Sequence, residues 1–203
     1  WSSDVCSSDL NTWVYEQTRA LLEKDKIVGI VGGDHSTPLG FYKALAEKYG
    51  PYAILQIDAH CDLRKAYEGF NYSHASIMYN ALNQIPNLEK LVQVGIRDFC
   101  EEELDEINGS NGRVVAFFER QIKERQYEGE CWRDIAFDII NQLPQNVFVS
   151  FDIDGLDPKL CPHTGTPVQG GFETEQIFYL FKRLMKSGRK IIGFDLNEVG
   201  VSH

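Results

Sequence analysis

Five short, mainly apolar runs punctuate this chain without alternating apolar and polar residues: Ile27–Val31, Ala53–Ile57, Leu91–Ile96, Val147–Phe151 and Lys190–Leu196. A strand that is apolar on both sides has to be buried on both faces. That is the condition of a parallel sheet sandwiched between helices. The segments between the runs carry helical spacing or helical caps. Thr12–Lys24 places Trp13, Val14, Leu21 and Leu22 at such a spacing, and Ser36 or Thr37 can cap a helix whose first turn holds Pro38. Further helices are expected over Ser76–Asn83, Glu101–Ile107, Trp132–Leu143 and Thr174–Met185, the last capped near Thr174 and Glu175. A further strand is expected over Arg113–Phe117. The expectation is an α/β chain, a three-layer αβα arrangement with a mainly parallel sheet, incomplete at both ends.

In such sheets, sites form beyond the carboxyl ends of the strands. Every polar cluster of this chain falls there: Asp34-His35, Asp58-Ala59-His60-Cys61-Asp62, Asp152-Ile153-Asp154 and Glu198. In extended backbone, alternate residues point to the same side. Asp58, His60 and Asp62 can therefore converge, and so can Asp152 and Asp154. With His35 they make four carboxylates and two imidazoles. Hard oxygen with some nitrogen suits Mn²⁺ and its first-row neighbours, whereas a structural zinc site is richer in thiolate. Two divalent cations would balance four ionised aspartates. A single ion would leave carboxylates repelling one another, with raised pKa values. The count therefore favours a two-metal cluster, able to lower the pKa of a shared water toward neutrality.

At this point the chain resembles the ureohydrolases: arginase, agmatinase, guanidinobutyrase and formimidoylglutamase. Gly32-Gly33-Asp34-His35-Ser36, Asp58–Asp62 and Ser150–Pro158 look like that family's three signatures, and Thr164–Gly171 and Gly193–Val199 match further segments. The resemblance implies one Mn²⁺ on His35, Asp58, Asp62 and Asp152, and a second on Asp58, His60, Asp152 and Asp154. It implies that a hydroxide bridging the metals attacks the guanidinium carbon, with Asp62 orienting it. It also implies that Glu198 pairs with the guanidinium in bidentate fashion, that Thr166 lies at the substrate, and that His74 shuttles a proton to the leaving amine. The partner is a small cationic guanidino compound, best agmatine, giving urea and putrescine. Trimers or hexamers and a place in polyamine metabolism are further implications.

Several residues have quieter roles. Asp34 is expected to support the site or cap a helix, Asp157 to make a turn before Pro158, and Cys61 to be a packed thiol. Asp195 is expected to be structural, holding a ligand histidine in its tautomer, and His163 and His203 to be loop residues. The loop Leu63–Tyr72 lacks the Thr/Ser/Asn-rich run with which arginases hold an amino acid's α-groups, which favours a guanidino amine. Arg64 and Lys65 in that loop point the other way, toward a substrate carboxylate. Ala75-Ser76-Ile77 after His74 departs from the family's usual Gly and small polar residue.

Charge and length exclude other classes. The net charge is −10 and the pI about 5.0, which disfavours nucleic acid and anionic membrane surfaces. No run approaches the ~18 apolar residues of a membrane span. Five widely spaced cysteines with no C-x-x-C suggest reduced thiols and a cytoplasmic setting. A single-zinc deacylase would bring tandem histidines, and a two-metal phosphoesterase an Asn-His-Glu/Asp segment; neither occurs. A non-catalytic relative is the remaining alternative. Residues 1–10 have no periodicity, and Val5–Leu10 resembles the translation of a sequencing adapter; they are expected to be non-native sequence or a disordered tail. Residues 11–203 are then a single catalytic domain. The family's extra αβ segment before Gly32 and final helix after Glu198 are expected to be missing.

Overall fold

The computed structural model describes residues 3–200, with side chains from Ser8. Residues 1–2 and 201–203, including His203, lie outside the described residues, as does the side chain of Cys6. Six strands form one parallel sheet: β1 (Val28–Val31), β2 (Tyr52–Ile57), β3 (Leu88–Ile96), β4 (Val114–Phe118), β5 (Asn146–Asp152) and β6 (Lys190–Asn197). Their spatial order is β1-β6-β5-β2-β3-β4. The chain runs outward from β2 through β3 to β4, then returns to β5 and runs outward the other way. The direction reverses between β2 and β5. That crevice is where ligands bind in open parallel sheets.

Seven helices flank the sheet among the described residues: α1 (Ser3–Leu22), α2 (Leu39–Tyr49), α3 (Ile77–Gln84), α4 (Glu101–Gly109), α5 (Glu119–Tyr127), α6 (Trp132–Asn141) and α7 (Thr174–Lys186). Alternate residues of β2 and β5 supply two separate cores. Ile54 and Phe148 pack with Val14, Phe41, Leu45, Ile77 and Ile107, and so with α1 to α4. Leu55, Ile57, Val147 and Val149 pack with Ile122, Ile139 and Leu180 of α5, α6 and α7. Every residue of β2 is buried, as its unbroken apolar run requires. The three-layer αβα arrangement is as expected.

Four local expectations differ. The first helix begins at Ser3, ahead of the spacing that starts at Thr12, although buried positions on it begin at Asn11. Neither Ser36 nor Thr37 caps α2: Pro38 precedes it without a side-chain cap, and Asp34 Oδ1 instead accepts from the Ser36 N–H at 2.8 Å. The cap of α7 is Glu173, which forms a reciprocal capping box with Gln176. α5 was not expected at all. Its sequence, Glu119–Tyr127, is strongly polar and buries little beyond Glu119 and Ile122, so no apolar stripe announces it.

β1 is an edge strand, and Val31 is 77% exposed. The cysteines with described side chains, Cys61, Cys100, Cys131 and Cys161, are free, and Cys61 is packed in the core. No helix among the described residues is long and apolar enough to cross a membrane.

Candidate metal centre

The carboxyl ends of β1, β2, β5 and β6 deliver the four polar clusters to one place. His35 lies in the turn between β1 and α2 and is fully buried. Its Nδ1 faces three carboxylates: Asp58 Oδ2 at 3.3 Å, Asp62 Oδ2 at 3.1 Å and Asp152 Oδ2 at 3.1 Å. His60 Nδ1 lies 3.0 Å from Asp154 Oδ2 and 3.5 Å from Asp58 Oδ1. Two compact ligand groups result, His35 with Asp58 and Asp152, and Asp58 with His60 and Asp154, whose donor atoms all lie within 4.8 Å of one another in each group. Asp58 belongs to both. Asp152 belongs only to the first group, and Asp62 to neither, despite its closeness to His35.

The donor set fits divalent cations. His35 Nδ1 is buried with no hydrogen-bond partner, although three carboxylate oxygens surround it. Its Nε2 lies 2.9 Å from Ser150 Oγ. Ser150 Oγ donates to Asp195 Oδ1 at 3.0 Å, and the Tyr42 hydroxyl donates to Asp195 Oδ2 at 3.0 Å. With Ser150 donating to Asp195, the proton of neutral His35 belongs on Nε2, which leaves the Nδ1 lone pair among carboxylate lone pairs. Such a cluster needs a proton or a cation at its centre. Asp195 thus reaches His35, a candidate ligand, through Ser150 rather than by touching it.

A row of polar side chains in the sheet underlies the ligands. Gln93, Gln56, Ser150 and Asp195 are register neighbours across β3, β2, β5 and β6. Gln93 donates to Gln56 Oε1 at 2.7 Å, and Gln56 donates to Asp58 Oδ2 at 2.8 Å. Gln93, Gln56 and the role of Ser150 escaped the sequence reading because each sits alone inside an apolar run. The signal was a single polar residue two positions before an aspartate, in both β2 and β5.

Without metal the cluster titrates abnormally. Burial opposes charge on His35 and His60, but the carboxylates packed against their rings outweigh it. His35 is raised well above its ordinary value, and His60 is pushed up to about 11. Burial and the neighbouring Asp58 raise Asp62 to about 7 and push Asp152 up as well. Two residues of the site hold left-handed backbone, Asp62 at φ 55° and Glu198 at φ 60°. That conformation costs of order 1–3 kcal/mol for residues other than glycine and gathers at functional sites.

Above the ligands is a cavity of about 190 Å³. His60, Asp62, His74 and Thr166 line it, together with Arg64, Tyr67, Asp98 and Val168. Thr166 Oγ1 donates to Asp154 Oδ2 at 3.2 Å. His74 is half-buried, stacks edge-on to Tyr67 and places Nδ1 3.3 Å from Asp34 Oδ2. Its pKa is raised, first by that hydrogen bond. Burial pulls Asp34 upward, yet His74 and Ser36 together bring it down to about 2. Glu198 does not line this cavity. Its Oε1 accepts the His35 N–H at 2.7 Å, its own N–H donates to the Gly33 carbonyl at 2.7 Å, and burial raises its pKa. Asp157 caps its turn by accepting from Lys159 N–H, and His163 is an exposed loop residue. A larger cavity of about 510 Å³ lies among Tyr15, Lys43 and Tyr72, away from these groups.

The arginase family model matches residues 4–201. The N(1)-aminopropylagmatine ureohydrolase of Synechocystis is 32% identical over 190 residues, 93% of this chain and 58% of that protein. The agmatinase of Halalkalibacterium halodurans is 33% identical over 187 residues, 90% of this chain and 59% of that one. The agmatine ureohydrolase structure of Thermoplasma volcanium superposes with a TM-score of 0.79 at 26% identity, over 96% of this chain and 61% of that one. The chain therefore spans about three-fifths of the length of the relatives it matches. It belongs to the arginase family.

Proposed function

We propose that this chain carries the centre of a two-metal ureohydrolase that cleaves a guanidino amine, agmatine foremost, into urea and a diamine. The observation that carries the reading is the pair of ligand groups sharing Asp58 at the sheet's reversal point, beneath a cavity. Mn²⁺ suits the mixture of carboxylate oxygen and imidazole nitrogen. Bound divalent ions supply Lewis acidity and make water nucleophilic near neutral pH.

The chain's own residues account for the remaining needs. Water adds to the guanidinium carbon, one C–N bond breaks, and the departing nitrogen must gain a proton. In this reading Asp62, at the cavity wall beside His35, accepts a hydrogen bond from the attacking water, a role its 3.1 Å approach to His35 supports. His74 delivers the proton, a role its place in the cavity wall and its contact with Asp34 support. Glu198 Oε1 holds the His35 N–H, and in this reading the same carboxylate pairs with the planar guanidinium in bidentate fashion. Thr166, held on Asp154, shapes the cavity wall.

An amine is favoured over a carboxylate at the substrate's far end. Asp98 at the cavity rim is 65% exposed and lies 3.7 Å from His60 Nε2, too far for a firm bond. Arg64, which also lines the cavity, is engaged over the Tyr67 ring, 5.4 Å from its centroid. Relatives of this chain are named agmatinase, N(1)-aminopropylagmatine ureohydrolase and guanidinobutyrase. A cytoplasmic, oligomeric enzyme accords with the free thiols and the family.

The test is urea release with added Mn²⁺ from agmatine, aminopropylagmatine, arginine and guanidinobutyrate, with formamide release from formimidoylglutamate alongside. Agmatine should give the highest kcat/KM. Absence of urea from every guanidino compound sinks the proposal, and leaves a non-catalytic relative.

A further inference from the structure

Arg97 belongs to none of the ligand groups, yet it touches every segment that builds the second one. It follows β3, and its side chain is only 6% exposed. Its backbone N–H donates to the Ala59 carbonyl at 2.8 Å, between Asp58 and His60. Its Nη2 donates to the carbonyls of Asp154 at 2.6 Å, Val168 at 3.0 Å and Leu156 at 3.3 Å, and Nη1 donates to Gly95 at 3.2 Å. One guanidinium therefore joins the end of β3, the turn that carries Asp154 and the loop that carries Thr166. The planar fork is what permits this, since an ammonium cannot meet several carbonyls in fixed directions.

A buried cation of this kind needs a counter-charge. Glu119, the first residue of α5, supplies it from 3.9 Å, with its side chain 11% exposed. Glu119 Oε1 also accepts the Gly171 N–H at 2.8 Å, which closes the far end of the Thr166 loop. Gly171 has φ +97°, and a Cβ there would lie 2.4 Å from the Leu156 carbonyl, so only glycine allows the two strands of the loop to approach.

We propose that Arg97 and Glu119 are a positioning pair that assembles the second ligand group, Asp58, His60 and Asp154, and hangs Thr166 from it. The inference rests on the two-metal reading above. The Arg97 guanidinium bonds the backbone carbonyl of Asp154 and no atom of His35, Asp58 or Asp152, so its loss should loosen the second metal position and spare the first.

The experiment titrates chelator-stripped protein with Mn²⁺, following free Mn²⁺ by EPR, and measures amide exchange over residues 153–171. Wild type should take up two equivalents. Arg97→Lys should keep the first with unchanged affinity and hold the second at least tenfold more weakly, with faster exchange over 153–171 and unchanged exchange around His35. Glu119→Gln, which keeps every donor of Arg97, should show the same division in weaker form. Two equivalents of unchanged affinity in Arg97→Lys, or equal weakening of both, overturns the pair's role while leaving the metal centre standing. A wild type that takes up no Mn²⁺ overturns the two-metal reading and the pair's role together.

Discussion

His35 Nε2 lies 2.9 Å from Ser150 Oγ, 115 residues further along the chain and two strands across the sheet from β1. Through that contact the buried Asp195 and Tyr42 decide which nitrogen of His35 carries its proton. A ligand histidine whose far nitrogen is fixed in this way is oriented and made more basic.

Ser150→Ala and Asp195→Asn should therefore weaken Mn²⁺ binding roughly 10–100-fold without removing any ligand. Isothermal titration on stripped protein measures it. Tyr42→Phe should weaken it less, because Ser150 still bridges His35 to Asp195. Wild-type affinity in Ser150→Ala would show the relay to be idle.

Metal uptake should expel protons. Ligation needs neutral imidazole and ionised carboxylate, whereas the metal-free cluster holds His60 protonated, at about 11, and Asp62 at about 7. Affinity should climb as the pH rises through the value of Asp62. The stability of metal-free protein runs the other way. His60 is raised above its ordinary 6.5, so its contribution is full below that value and is lost as the pH climbs toward 11. Indicator dye in weakly buffered protein at neutral pH should register the released protons when Mn²⁺ is added, and a silent dye would contradict the assignment.

Chelation should lower the melting temperature. A ligand at 100 times its Kd stabilises the folded state by about 2.7 kcal/mol if the unfolded chain does not bind it. For a chain of this size that is worth on the order of 5–10 °C. Calorimetry with and without chelator measures the shift. Asp152→Ala should shrink the shift and abolish the activity, and a variant whose Mn²⁺ shift equals that of wild type would exclude Asp152 from the ligand set.

Asp98→Asn should raise KM for agmatine while leaving kcat close to wild type. The group is well exposed, so its pairing with an ammonium is worth about 1 kcal/mol at most, or about fivefold. Guanidinobutyrate, which ends in a carboxylate, should not lose affinity in the variant and would gain if repulsion from Asp98 is relieved. Steady-state kinetics on both substrates decides it, and equal losses would place Asp98 outside the recognition of the substrate's tail.

Helices and strands with strong apolar patterning were legible along the chain, and α5 was not, because its first turn buries a glutamate instead of a hydrophobic face. The gathering of Asp58 and His60 was legible because alternation in an extended segment brings them to one side, whereas Asp62 reaches His35 from left-handed backbone that alternation does not describe. Glu198 follows β6 and so ends at the same edge of the sheet, but its hold on the His35 N–H could not be anticipated, since it joins residues 163 positions apart.

Local periodicity and residue chemistry thus determined the layered parallel sheet, the edge of it that carries the polar clusters, and the two kinds of ligand gathered there. The tertiary structure alone decided how those clusters are supported. Strand register set Gln93, Gln56, Ser150 and Asp195 in one row beneath them, and the packing of α5 against the Thr166 loop gave the buried Arg97 its counter-charge. Periodicity acts over a few residues, whereas a buried polar side chain needs a partner in space, and folding draws that partner from any distance in the chain.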